Sequence, residues 1–161
     1  MPRLSLRQSD AQILYLGLLH RDAGPRPAVD QRGGEPRADS RLASLRGTLE
    51  TELARAVAEI EVPDDDLPAL SEALGGAINE LKQISMADGR SMVPGFGEAA
   101  QRLFPEIVEE PGAALDVVGH GVMLRRRLDA AVAATRAAAP APDTEGEGSA
   151  RHRRWWRPWR R

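Results

Sequence analysis

The sequence predicts an all-α protein: a small three- to four-helix bundle with a flexible N-terminal linker and a disordered basic C-terminal tail. Three observations carry that expectation. Residues 64–86 place Leu67, Leu70, Leu74, Ala77, Leu81 and Ile84 at alternating steps of three and four, one apolar stripe on a helix that Ile78 widens. Residues 40–62 repeat the signal with Leu42, Leu45, Leu49, Leu53, Val57 and Ile60. Finally, large apolar residues give way to Pro, Gly and charge over residues 22–39 and again from 139 onward, a composition that cannot bury enough surface to order itself.

Composition bounds the function classes. Of the 161 residues, 42% are apolar and 29% charged, which suits one core with polar appendages. There is no cysteine, so disulfides, zinc-thiolate sites and a thiol nucleophile are excluded. No apolar run approaches the roughly 20 residues that span a bilayer.

Taken in order, residues 1–21 hold a short apolar helix. Ser9 with Gln12 three positions on has the form of a capping box, and a brief strand at residues 4–6 is the one extended segment expected. Ile13, Leu14, Leu16, Leu18 and Leu19 make the helix apolar nearly all round, so it must be buried, either in the bundle or as a helix offered to a partner. Arg3 and Arg7 ahead of it resemble the start of a secretory signal, but Ser9, Asp10 and Gln12 interrupt the apolar run and no small-x-small site follows. Residues 22–39 then read as the flexible linker, and 40–138 as the helical body.

Within the body, the helix of residues 40–62 should stop at Pro63 and turn as an antiparallel hairpin into the helix of residues 64–86. Asp64, Asp65 and Asp66 stand where carboxylates cap a helix, and Pro68 fits a first turn. Gly75 and Gly76 each cost about 1 kcal/mol relative to Ala inside a helix, which points to close backbone contact with a neighbour. Residues 87–97 read as a loop through Asp88-Gly89, Pro94, Gly95 and Gly97. A short helix over 98–104 follows, with Phe96 and Phe104 plugging the bundle. The last long helix opens at Pro111, runs to about 138 with Leu115, Val118, Val122, Leu128 and Val132 inward, and is interrupted at Gly119-His120-Gly121, where it kinks or crosses closely.

The most unusual stretch is the tail, within residues 139–161: Arg151, Arg153, Arg154, Trp155, Trp156, Arg157, Trp159, Arg160 and Arg161 include all three tryptophans. Residues 151–161 hold six Arg and no acid, while the first 150 residues hold 16 basic against 24 acidic side chains. Indole favours the headgroup region of a membrane, and Arg near an anionic leaflet contributes on the order of 1 kcal/mol each. Over about seven residues the tail resembles Trp/Arg-rich cationic antimicrobial peptides, in composition only. The same residues suit a groove on a partner protein, single-stranded nucleic acid, or the chain's own acidic body.

Elsewhere the chemistry is sparse. Asp64 to Asp66 lack a second carboxylate cluster for a metal, and His20, His120 and His152 form no ligand motif, so neither metal nor cofactor is expected. His120 between two glycines, the polar loop residues Ser85, Asp88, Arg90 and Ser91, and the basic run Arg125 to Arg127 are the remaining candidates, with Met86, Met92 and Met123 as gap fillers. The expectation is a non-catalytic interaction or adaptor protein in the cytoplasm. Its body binds a protein partner or a second copy, and its tail holds it peripherally at the inner face of an anionic membrane or in a partner's groove. A nucleic-acid-binding accessory protein is the alternative; a small ligand-binding or enzymatic bundle centred on His120 and the 85–97 loop is third.

Overall fold

A computed structural model describes residues 3–23, 36–86, 90–110 and 112–138, and it is predominantly helical. The elements are β1 (Arg3–Arg7), α1 (Gln8–Ala23), α2 (Pro36–Glu52), β2 (Val57–Glu61), a 3-10 turn (Asp64–Asp66), α3 (Leu67–Met86), α4 (Phe96–Leu103), α5 (Glu106–Glu109) and α6 (Ala113–Ala138). α3 packs against α6 and α1, and α1 in turn touches α2, α4, α6 and both strands. One core joins them all, and its largest fully buried side chains include Leu6, Leu14, Leu16, Leu49, Ile60, Leu74, Leu81 and Phe96.

The apolar first helix is therefore the centre of the body. Ile13, Leu14 and Leu16 are 0% exposed, Leu18 is buried, and Leu19 packs half-buried at the edge of the core. A helix apolar on every side can be satisfied only by neighbours on every side, and Gly17 lets one of them come very close. A Cβ there would lie 3.2 Å from the Ala73 carbonyl carbon and the Leu74 nitrogen. Presentation of these five residues to a partner is thus corrected: they are core.

The hairpin expectation also fails. The helix of residues 40–62 ends at Glu52, and Val57–Glu61 instead pairs antiparallel with β1, in register Arg3↔Glu61, Leu4↔Ile60, Ser5↔Glu59, Leu6↔Ala58 and Arg7↔Val57. The reason lies in the period. Ala58, Ile60 and Val62 are buried while Val57, Glu59 and Glu61 are exposed, an alternation of two that suits a strand with one wet face. The strand expected at residues 4–6 finds its partner there, and α2 packs chiefly on α1.

α3 carries the predicted stripe, with Leu67, Leu70, Leu74, Ala77, Ile78, Leu81 and Ile84 all buried. The acidic residues before it form the 3-10 turn, which has no side-chain cap. Asp66 is instead 3% exposed and accepts two bonds from Arg41, Nε to Oδ2 at 2.9 Å and Nη2 to Oδ1 at 2.8 Å. Phe96 and Phe104 are inside as expected. Gly95, at φ 73°, provides the left-handed backbone that turns the chain into α4.

α6 runs unbroken through Gly119-His120-Gly121. Of the two possibilities at that point the close crossing is what forms. A Cβ on Gly121 would stand 3.0 Å from Ile78 Cγ1 and 3.4 Å from Ile13 Cγ2, whereas Gly119 faces open space. The inward stripe is Ala114, Val117, Val118, Leu124 and Leu128, with Val122 and Val132 half-buried, so Leu115, expected inside, is 59% exposed.

Candidate functional site

The Arg/Trp residues of the tail, Arg151 to Arg161, lie outside the described residues, as do residue 88 and residues 24–35 of the expected 22–39 linker, whose ends at 22–23 and 36–39 instead belong to α1 and α2. The remaining polar candidates are distributed over two clefts, one on either side of α6, and one pinned loop.

The first cleft runs between α3 and α6, encloses about 550 Å³, and is lined by Ser71, Gly75, Gly76, Asn79, Arg125, Asp129 and Arg136 among others. Ser71 is buried, and its hydroxyl donates to Asp129 Oδ1; Arg125 Nε reaches the same hydroxyl at 3.4 Å. The double glycine explains how these groups fit. A Cβ on Gly75 would be 2.8 Å from Arg125 Nη1, and one on Gly76 would be 2.5 Å from His20 Cε1 and Nδ1. The expected close contact is real, but side chains make it: the guanidinium of Arg125 and the imidazole of His20 lie where two Cβ atoms would be. His20 then meets Phe96 edge-on, with ring centroids 5.9 Å apart.

The second cleft, about 470 Å³, lies at the junction of the outer face of the sheet, the start of α1 and the middle of α6. Ser5, Arg7, Ser9, Asp10, Val57, His120 and Arg127 line it. His120 is therefore not packed in a helix crossing. It is exposed, and the crossing is made by its neighbour Gly121. Arg127 Nη1 donates to Asp10 Oδ2 at 2.9 Å, tying α6 to the first turn of α1.

The loop of residues 85–97 brings none of its described residues to the His120 cleft. Its Ser91 is tied to Glu80, a carboxylate 5% exposed on α3, whose Oε1 accepts from Ser91 Oγ at 2.6 Å, Met92 N at 2.7 Å and Val93 N at 3.3 Å. Three donors on one buried oxygen satisfy the carboxylate and fix the path into α4. Glu80 was invisible in sequence because it resembles an ordinary solvated position one residue away from the Leu81 stripe.

The basic run is not one patch. Successive helix positions turn by about 100°, so Arg125 reaches α3 and Arg127 reaches α1. Met86, Met92 and Met123, expected as gap fillers, are 77%, 85% and 58% exposed. Among the described residues no group of three His, Asp or Glu is placed to hold a metal ion, and no helix is long and apolar enough to cross a membrane. The chain matches no protein-family model, no curated protein and no solved structure.

Proposed function

We propose that this chain is a non-catalytic interaction protein of the cytoplasm, whose helical body recognises a protein partner and whose Arg/Trp tail attaches it to an anionic membrane surface or a partner's groove. The observation that supports the body's part is an apolar pair left over on α6. Leu115 and Met123 are 59% and 58% exposed on the outward side of the helix, eight residues and about 80° apart around its axis, with Gly119 open to solvent between them. The opposite stripe of the same helix already closes the core, so this pair contributes nothing to folding the chain. Exposed apolar side chains gathered on one face of a folded body are what a contact surface would use.

A second copy of the chain is the partner that can be tested first. Sedimentation velocity over a range of concentrations should show a dimer that a Leu115→Glu/Met123→Glu variant abolishes while far-UV circular dichroism stays unchanged. A monomer at every concentration would refute self-recognition through this face.

A further inference from the structure

We propose that the cleft between β1, the start of α1 and the middle of α6 is a binding site for a phosphate monoester, gripped by Arg7, His120 and Arg127 with the hydroxyls of Ser5 and Ser9. Its volume, about 470 Å³, lies within the range of small-ligand pockets. The lining residues come from four elements, and the fold brings them together deliberately. Ser5 and Arg7 alternate on the outer face of β1, which runs into α1 without a loop and so places Ser9 at the mouth. His120 and Arg127 are seven residues apart on α6, two turns on one stripe, roughly 10.5 Å along the axis.

The charge pattern selects the ligand. On the outer face of the sheet Ser5 lies opposite Glu59 and Arg7 lies opposite Val57, so the carboxylate that β2 offers Arg7 is the diagonal Glu59 and not a directly paired one. The side chains of Arg7 and His120 have no hydrogen bond or ion pair among the described residues. Among the described residues that line the cleft the one acid, Asp10, is held by Arg127 and is 13% exposed, so the lining sets two guanidinium groups against one carboxylate, with Glu59 outside it across from Ser5. An arginine has five N–H donors, and a single bond to Asp10 leaves Arg127 free to present others. Two guanidinium forks, an imidazole and two hydroxyls exceed what a carboxylate can accept, but they match the three oxygens and double charge of a phosphate monoester. Val57, 52% exposed, supplies an apolar wall for the ester's organic part. This site is independent of the tail.

The test is a titration of the full chain, followed by backbone amide NMR, with inorganic phosphate and with glycerol 3-phosphate, against sodium chloride at matched ionic strength. Saturable shifts at Ser5, Ser9 and Gly121 are expected. Each of Arg7→Gln and His120→Gln should weaken binding about tenfold or more, since each removes a charge-assisted or direct bond to the anion, while Arg126→Gln, which does not line the cleft, should leave it unchanged. Phosphatidylcholine vesicles with and without phosphatidic acid separate a lipid phosphate from a soluble one. Saturation by glycerol 3-phosphate assigns a soluble ester; shifts with phosphatidic acid alone, lost in Arg7→Gln, assign a headgroup. Shifts no larger than those with chloride, or unaltered in the Arg7→Gln/His120→Gln double variant, overturn the site.

Discussion

Replacing Gly75 or Gly76 by alanine should have opposite effects, although the two residues are adjacent in one helix. The intrinsic gain is the same at both, about 1 kcal/mol for Gly→Ala in a helix interior, so the difference isolates what each Cβ meets. At Gly75 the new atom arrives 2.8 Å from Arg125 Nη1, the end of a long exposed side chain that can swing aside and lose only a 3.4 Å contact to Ser71. Gly75→Ala should therefore keep that gain and stabilise by about 1 kcal/mol. At Gly76 the atom arrives 2.5 Å from the His20 ring, which is half-buried and set edge-on against the fully buried Phe96. Displacing the ring costs about 1–3 kcal/mol as overpacking, so Gly76→Ala should be neutral to destabilising, and the two variants should differ by about 1–3 kcal/mol. Urea unfolding followed by far-UV circular dichroism reads this, because none of the tryptophans lies within the helical body of residues 40–138 or in α1. In a His20→Ala background the penalty should vanish and Gly76→Ala should become stabilising. Equal stabilities for the two alanine variants would refute the seating of His20 over Gly76.

Other variants separate core from surface. Leu14→Ala, at 0% exposure, should destabilise by about 2–5 kcal/mol, whereas Leu115→Ala should stay within about 0.5 kcal/mol; chemical denaturation distinguishes them. Arg41→Ala leaves the buried carboxylate of Asp66 without its bidentate partner and should cost about 1–3 kcal/mol in the same assay. Glu80→Ala should release the loop after α3, seen as faster hydrogen exchange at the Met92 and Val93 amides with little change at Leu74 or Leu81.

Legibility in the sequence followed the strength of each periodic signal. The α3 stripe, the buried phenylalanines and the extent of α6 could be read because long amphipathic helices repeat their pattern many times. Residues 57–61 could not be read correctly, because Leu53, Val57 and Ile60 extend a helical spacing while Ala58, Ile60 and Val62 spell a strand, and only pairing with β1 decides between them. α1 is apolar all round, so its pattern states burial without saying against what. The glycine pair announced an exception in α3, yet the side chains that require it, Arg125 and His20, are 50 and 56 residues away in the chain. The second cleft was legible only as His120. Arg7 read with Arg3 as a signal-like start, Ser5 as part of a brief strand and Arg127 as part of a basic run, and it is the direct β1–α1 junction that sets them beside α6.

The attachment role of the tail is the part of the proposed function most directly open to measurement, since Trp155, Trp156 and Trp159 are the protein's only indoles. The full chain should be titrated with anionic and with neutral vesicles, and with a short single-stranded oligonucleotide, at low and at physiological salt while the emission maximum is followed. A blue shift with anionic vesicles alone, weakened by salt, is the predicted result. An emission maximum that stays at its solvent-exposed value in every titration, or one quenched by the oligonucleotide and indifferent to vesicles, would contradict membrane attachment.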